Sequence, residues 1–274
     1  MGRAEFDNYI LRGGEQGAER LRLLARVKWP TTRALLRRVG LRPGMHCLDI
    51  GCGNGAVTLK LAKWVGPSGR AVGIDLDEHC LELARHEAIR QQLHAIFRTQ
   101  RISDLGENAT YDLVYSRFLL THLSDPAPAL ASFVSAARPG GLVVVEDIEL
   151  AAHFSYPACP AFHRYVSLYQ QTVERKKGDP NIGPRLVSLL IDAGLEQVSV
   201  EVVQPTFRKG IGKRLAQVTM EHIREAVVAA GLASHSEVDG IVAELGLFAS
   251  NPRTILSLPR IFQVWGRKRQ SSSP

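Results

Sequence analysis

Short apolar runs alternate with helical stretches along most of the chain after residue 45. Seven runs fit this pattern, at 45–50, 70–76, 95–99, 111–116, 141–147, 197–203 and 259–266. Helical patterns lie near 55–65, 77–92 and 126–137, between the first five runs. Because the runs are almost continuously apolar, they are typical of strands buried on both faces. The pattern predicts an α/β fold with a seven-stranded, mostly parallel sheet covered by helices on both faces.

The amino-terminal region lies outside this alternation. Apolar positions at helical spacing over 15–28 predict an amphipathic helix, and Pro30 is expected to begin a second helix that ends at Gly40. We therefore predict that residues 1–40 form a helical cap.

Two more helical regions interrupt the later part of the chain. Residues 157–195 hold two helical patterns, and residues 208–250 hold two more between the last two strands. We divide the chain into the cap, a core of 41–207 and 258–269, and a helical insertion of 208–257. The insertion is expected to form a lid over one end of the sheet, but shielding a sheet edge or forming a homodimer contact explains it equally well.

The composition of the chain is typical of a globular protein. The chain has 274 residues, of which 45% are hydrophobic and 22% charged, as in ordinary globular proteins. No apolar run is long enough to span a membrane, and the first residues lack the apolar core of a signal peptide, so we expect a cytoplasmic protein without a membrane partner. The four cysteines do not have zinc spacing, which predicts reduced thiols and no metal.

The distribution of charge bears on nucleic-acid binding. The net charge is +7, but residues 41–200 carry fifteen Lys and Arg against seventeen Asp and Glu. The basic excess therefore lies in the two terminal regions. Since a nucleic-acid site needs a clustered basic surface, we expect no specific nucleic-acid partner.

A glycine-rich loop follows the first predicted strand. Gly51, Cys52, Gly53 and Gly55 lie between the apolar run and the next helix. Glycines allow a sharp turn and a close ligand, and the first N–H groups of the helix are free to bind it. Asp75 ends the second run, where a carboxylate can accept both hydroxyls of an adenosine ribose.

The loop alone does not distinguish two classes of cofactor. Gly51, Gly53 and Ala56 also satisfy the fingerprint of dinucleotide-binding proteins. Asp49, however, lies two residues before Gly51, where its charge would repel a pyrophosphate. S-adenosylmethionine carries no phosphate and has an ammonium group, so an acid at position 49 suits it better.

These motifs resemble those of the class I S-adenosylmethionine-dependent methyltransferases, which have a Rossmann-like fold. The resemblance covers 45–147: the glycine loop with Asp49, the acid at Asp75, the fourth-strand segment 111–116 and the turn at 138–141. Outside this core, the chain is similar to bacterial methyltransferases of the ubiquinone-biosynthesis type, which act on many small molecules. The resemblance implies S-adenosyl-L-methionine as cofactor and a small-molecule acceptor, quinone-like or another natural product, with methylation at O, N or C left open.

The resemblance also implies a set of site residues. The predicted cofactor-binding residues are Tyr9, Asp49, Gly51, Cys52, Gly53, Gly55, Asp75, Leu76, Arg101, Ile102, Ser116 and Arg117. The family usually has an acid after the third strand that reads the adenine. Here Arg101 stands at that position, and Asp104 is a possible substitute, so we expect the backbone of Arg101 and Ile102 to make the contact.

Residues that follow the fourth and fifth strands are the candidates for catalysis, because ligands of such sheets bind at the carboxyl ends of the strands. His122 and His153 are the candidate bases, although each is also explained by a structural role. Arg117 cannot be a base and is expected to pair with Asp147 or to hold an acidic substrate. Two other functions remain open, an RNA methyltransferase and a cofactor-binding protein without catalysis.

Overall fold

The computed structural model describes residues 14–270, with side chains from Leu23 onward. The strands are β1 (His46–Ile50), β2 (Arg70–Asp75), β3 (Ala95–Thr99), β4 (Tyr111–Arg117), β5 (Ala137–Glu149), β6 (Ser155–Tyr156), β7 (Leu195–Val203), β8 (Thr206–Phe207), β9 (Ile255–Ser257) and β10 (Arg260–Lys268). The helices are α1 (Gly14–Arg38), α2 (Ala56–Val65), α3 (Glu78–Arg90), α4 (Ala127–Ala136), α5 (Pro160–Arg175), α6 (Leu186–Asp192), α7 (Leu215–Ala229) and α8 (His235–Ser250).

Seven strands form the main sheet, in the order β3-β2-β1-β4-β5-β10-β7. The five strands from β3 to β5 are parallel, and β10 runs antiparallel to both of its neighbours. This confirms the predicted seven-stranded, mostly parallel fold. The strand order reverses between β1 and β4, and the carboxyl ends beside such a reversal are where open α/β sheets bind ligands.

Both faces of the sheet are buried, which accounts for the continuous apolar runs in the sequence. Along β4, Val114 packs into the cluster that includes Phe133 of α4. Its neighbour Tyr115 points to the opposite face and packs into the cluster with Leu36 of α1 and Leu61 of α2. Successive residues of the strand therefore pack into two separate hydrophobic cores, one on each face of the sheet.

The prediction of two amino-terminal helices was wrong, because α1 is one helix with Pro30 in its interior. A proline inside a helix removes one backbone hydrogen bond and costs about 3 kcal/mol. Leu35 and Leu36, in the turns after Pro30, are fully buried against the sheet. Burial of such side chains supplies enough stabilisation to keep the chain helical through the proline.

Helices α5, α7 and α8 pack together into a helical roof beside the sheet. Phe162 and Leu168 of α5 share one buried cluster with Met220 of α7 and Val238 of α8. The short antiparallel sheet β6-β9-β8 joins the connecting segments of this roof, a feature that the sequence pattern did not predict. The proposed division of the chain placed α5 in the core, yet α5 packs with the insertion, so the roof is larger than residues 208–257.

Candidate functional site

A cavity of about 370 Å³ lies at the carboxyl ends of β1, β2, β4 and β5, between the sheet, α1 and the helical roof. We divide its lining residues into two parts. The glycine-loop end is formed by Asp49, Gly51, Cys52, Gly53, Asn54, Ala56, Val57, 74–77, Gln100 and Ile102. The roof end is formed by Lys28, Phe118, Ile148, Leu150, His153, Tyr165, Tyr169, Gly212, Lys213, Leu215, Ala216, Thr219 and 256–259. Both candidate bases and eight of the predicted cofactor residues line it, namely Asp49, Gly51, Cys52, Gly53, Asp75, Leu76, Ile102 and Arg117.

Backbone hydrogen bonds tie the glycine loop to β2. The N–H groups of Gly51 and Cys52 both donate to the carbonyl of Ile74, at 2.9 and 3.0 Å. Gly55 has φ of +70°, and a Cβ atom there would lie 2.5 Å from the Phe97 ring. Glycine is therefore required at this position, although Gly55 itself does not line the cavity.

Asp75 connects the loop to the second strand. One of its carboxylate oxygens, Oδ2, accepts from the backbone N–H of Gly53 at 2.7 Å, and Oδ1 accepts from Leu76 and Asp77 at 2.7 and 3.1 Å. Burial raises the pKa of Asp75, and the three backbone donors oppose that rise. Because an ionised carboxylate offers about four acceptor positions, one position on Oδ2 is left for a ribose hydroxyl. Acceptance of both ribose hydroxyls stays a prediction, and it requires one backbone donor to be displaced.

Asp49 is buried beneath the loop, with 2% of its surface exposed. The Thr58 hydroxyl donates to its Oδ2 at 2.6 Å. Burial raises the pKa of Asp49 to about 6, whereas the Thr58 bond and the charge of Arg117 lower it. An ammonium group bound beside it would favour the ionised form, since an opposite charge lowers a carboxyl pKa.

Two predicted cofactor residues besides Gly55 lie away from the cavity. The side chain of Ser116 is buried and donates to the carbonyl of Ile50 at 3.0 Å, so it ties β4 to β1. Arg101 precedes the turn Ile102–Asp104, and it is Ile102 and Gln100 that line the cavity. Tyr9 lies outside the described residues.

The expected pair between Arg117 and Asp147 is not formed. The Arg117 guanidinium donates to the Thr32 hydroxyl at 3.2 Å and lies 5.6 Å from the centre of the Phe118 ring. Asp147 accepts instead from the backbone N–H groups of Thr121 and Ile148, at 3.1 and 2.9 Å. Burial raises the pKa of Asp147 to about 7. These backbone bonds satisfy Asp147, and Arg117 remains in the cavity wall.

The two histidines differ in how they are held. His122 is buried at the turn after β4. The Nδ1 of His153 lies 3.0 Å from the carbonyl of Leu150, and its ring meets those of Phe162 and Tyr165 edge-on. Burial lowers the pKa of His153 to about 3. A base with so low a pKa is poorly matched to proton abstraction near neutral pH.

Lys28 is a charged residue of the cavity wall that is absent from the predicted site residues. It lies on α1 with 2% of its surface exposed and lines the roof end. The sequence does indicate that Lys28 is buried. It lies four residues after Leu24 and four before Thr32, which places it on the apolar stripe of the helix. A lysine on the buried stripe is rare, since its charged group is almost never fully buried without a partner.

A buried carboxylate lies beside this lysine. Glu146 of β5 accepts hydrogen bonds from Thr32 Oγ1 at 2.7 Å, Tyr115 Oη at 2.5 Å and Gln263 Nε2 at 2.7 Å. These three donors link α1, β4, β5 and β10 below the cavity floor. Glu146 therefore serves as the centre of a hydrogen-bond network.

Neither a metal centre nor a membrane segment is found in the part of the chain that the structure describes, residues 14–270 with side chains from Leu23 onward. No group of three or more of the described His, Cys, Asp or Glu side chains is placed to hold a metal ion. Within the same range, no helix has both the length and the apolar character needed to cross a membrane.

Comparison with known proteins identifies the family. Residues 41–190 match the model of a methyltransferase domain. The chain therefore belongs to the methyltransferase domain family, and its resemblance to class I S-adenosylmethionine-dependent methyltransferases is confirmed.

The matches to individual relatives cover only part of each relative's length. The chain is 31% identical over 179 residues to the 37.1 kDa protein of transposon TN4556 from Streptomyces fradiae, covering 64% of this chain and 50% of that protein. It is 29% identical over 137 residues to demethylmenaquinone methyltransferase of Staphylococcus aureus, covering 50% and 54%. The chain thus matches about half the length of these curated relatives.

A solved structure shares the fold. Phosphoethanolamine N-methyltransferase 2 of Haemonchus contortus, in complex with phosphomonomethylethanolamine and S-adenosylhomocysteine, superposes with a TM-score of 0.54 at 17% identity. The match covers 89% of this chain and 53% of that one. At this identity the comparison describes the fold alone.

Proposed function

We propose that this protein transfers the methyl group of S-adenosylmethionine to a small, largely apolar molecule. The observation that carries the proposal is that the glycine loop and a mainly apolar roof end line one shared cavity. When bound, the cofactor supplies an electrophilic methyl group on a sulfonium. The protein then needs to fix the acceptor in line with that methyl group, which is chiefly a matter of position.

The residues at the glycine-loop end suit this cofactor. Asp75 has an acceptor position for a ribose hydroxyl, and buried Asp49 provides negative charge for the ammonium of the methionine arm. The side chain of Ile102 lines the wall where the adenine is expected to lie. Gly51 and Gly53 leave room for the ligand to approach the backbone.

The roof end suits a small acceptor. Its walls include Leu150, Tyr165, Leu215 and Leu258, and the α1 and roof helices enclose it. Enclosed apolar cavities with a few polar groups are typical small-molecule sites. The similarity to the Staphylococcus aureus demethylmenaquinone methyltransferase supports a quinone-like acceptor as the first class to test. We expect no specific nucleic-acid substrate, because the surrounding central region has no basic excess.

The first experiment is titration calorimetry with S-adenosylhomocysteine and, separately, with NAD. We expect micromolar binding of the former and none of the latter, because Asp49 disfavours a pyrophosphate beside the helix start. Tight NAD binding without S-adenosylhomocysteine binding contradicts the cofactor assignment.

The second experiment tests the roof end with a panel of naphthoquinols and phenols in a methyl-transfer assay. Ala216→Trp fills the cavity wall, whereas Ala229→Trp places the same side chain on the exposed face of the same helix. We expect Ala216→Trp to abolish transfer while S-adenosylhomocysteine binding persists, and Ala229→Trp to act like the unmodified protein. Faster methylation of tRNA or rRNA than of every small molecule in the panel would overturn the acceptor class.

A further inference from the structure

Lys28 places a buried amine at the wall of the roof end. Only 2% of the residue is exposed, and no described group, whether a side chain from Leu23 onward or the backbone of residues 14–270, forms a hydrogen bond with its Nζ. Nζ lies 5.7 Å from the centre of the Phe118 ring. The same ring has the Arg117 guanidinium carbon 5.6 Å from its centre, so the two basic groups meet at one side chain of the cavity wall.

The charged and titratable groups around Lys28 are Arg117 on β4, Glu146 on β5 and His153 after β5. Glu146 is the natural counter-ion, but its carboxylate already accepts from Thr32, Tyr115 and Gln263. Burial and the charge of Arg117 hold the pKa of Lys28 well below its ordinary value, against the opposing effect of Glu146. Lys28 therefore loses its proton at lower pH than an exposed lysine does.

Packing does not explain a lysine at this position. A buried amine without a partner is destabilising, whereas an apolar side chain of similar length would fill the same space without that penalty. The other bonds of the network do not need it, since Thr32 connects α1 to both Glu146 and Arg117. An amine retained at the wall of a cavity points to a ligand in that cavity.

We propose that the Lys28 amine is the general base of methyl transfer, and that the acceptor carries an acidic hydroxyl, as a phenol or an enol does. The inference rests on the proposed methyltransferase function and names the substrate class within it. Arg117, fixed by Thr32, is placed to stabilise the oxyanion.

The step balances without a further reactant. The acceptor hydroxyl gives its proton to the Lys28 nitrogen, which leaves an ammonium and an oxyanion. The oxyanion lone pair forms the new O–C bond with the methyl carbon, and the C–S bond breaks with its electron pair remaining on sulfur. Lys28 returns its proton to water after the methylated product leaves.

The pKa of Lys28 can be measured without knowing the natural acceptor. Protein labelled with ¹³C at lysine Cε is titrated in the S-adenosylhomocysteine complex, and the Lys28 signal is assigned by its absence in Lys28→Met. We expect its midpoint to lie well below those of the exposed lysines, because burial and the charge of Arg117 disfavour the ammonium form. A midpoint among the other lysines overturns the proposal.

Two measurements on Lys28→Met distinguish a base from other roles. We expect the variant to unfold at the same or a higher temperature and to bind S-adenosylhomocysteine within about twofold of the unmodified protein. Lys60→Met is the matched control, because Lys60 is exposed on α2 and its Nζ lies 5.7 Å from the Trp29 ring. A loss of about tenfold or more in cofactor affinity for Lys28→Met alone would assign Lys28 to the cofactor carboxylate and overturn the proposal.

Proton transfer itself can be followed with 4-nitrophenol, whose ionised form absorbs at longer wavelength. In the S-adenosylhomocysteine complex we expect bound nitrophenol to be ionised at a pH about one unit lower than in water, and this shift to vanish in Lys28→Met but not in Lys60→Met. Failure to bind, or binding in the neutral form, overturns the hydroxyl class. If S-adenosylhomocysteine does not bind at all, the proposed function fails instead, so the two failures are distinguishable.

Discussion

At the glycine-loop end of the cavity most of the polar groups belong to the backbone or bond to it, whereas at the roof end they belong to side chains from separate segments. Asp75, for example, is held by three backbone N–H groups within a single strand-loop-helix unit. Lys28 and Tyr165 come from helices more than a hundred residues apart. The comparison teaches that the glycine-loop end is specified locally, and that the roof end exists only after α1 and the roof have packed on the sheet.

The largest expected effect is a loss of stability from a substitution in the roof that leaves cofactor binding unchanged. Phe162→Ala removes a ring that is 1% exposed in the roof cluster, and we expect a loss of about 3–5 kcal/mol in the free energy of unfolding. Below the melting temperature, affinity for S-adenosylhomocysteine should stay within about twofold, because distant sites act nearly independently. Urea unfolding and calorimetry check the two parts. A matching collapse of cofactor affinity would show that the two ends are one cooperative unit.

Asp75→Ala, at the glycine-loop end, should have the opposite result: weaker cofactor binding with the fold retained. We expect it to weaken S-adenosylhomocysteine binding by about 2–3 kcal/mol while the fold survives, as is usual for hydrogen bonds to a charged group. Asp104→Ala is the control, since Asp104 is an exposed acid that does not line the cavity. Unchanged affinity in a folded Asp75→Ala protein would mean that the ribose is held elsewhere, and an effect of Asp104→Ala would assign that acid to the adenine.

The smallest effect on cofactor affinity is a pH dependence that is due to Asp49. Its pKa of about 6 means that the carboxyl is mostly protonated below that pH, so it cannot attract an ammonium there. Affinity for S-adenosylhomocysteine should therefore rise by about tenfold from pH 5 to pH 7 and then level off. Calorimetry across this range gives the curve, and Asp49→Asn should flatten it. A curve of equal steepness in the variant would attribute the titration to another group.

Stability should show the opposite slope for the same residue. The pKa of Asp49 is raised in the folded protein, so the folded state binds the proton more tightly than the unfolded state does. The free energy of unfolding of the unliganded protein should then fall as pH rises from about 4 to about 6, and Asp49→Asn should lack this part of the fall. Buried Asp147 adds a slope of the same sign up to about pH 7, which the variant retains.

The sequence by itself determined the sheet, the glycine loop and the acid at the end of β2. Each depends on residues close in the chain: alternating apolar runs define the strands, and the loop and Asp75 belong to one strand-helix-strand unit. Such units have few possible arrangements, because parallel strands joined by a helix bring their carboxyl ends to the same edge.

Only the tertiary structure decided which polar side chains line the roof end of the cavity. Arg117 was expected to pair with Asp147, but its guanidinium donates to Thr32 of α1. The carboxylate of Asp147 accepts hydrogen bonds from backbone N–H groups instead. In sequence, Lys28 is one basic residue among many in the amino-terminal helix. Its burial follows from α1 running unbroken through Pro30 and packing on the sheet. Apolar periodicity places a helix against a core, but the depth and partners of one side chain depend on segments that meet only in the folded protein.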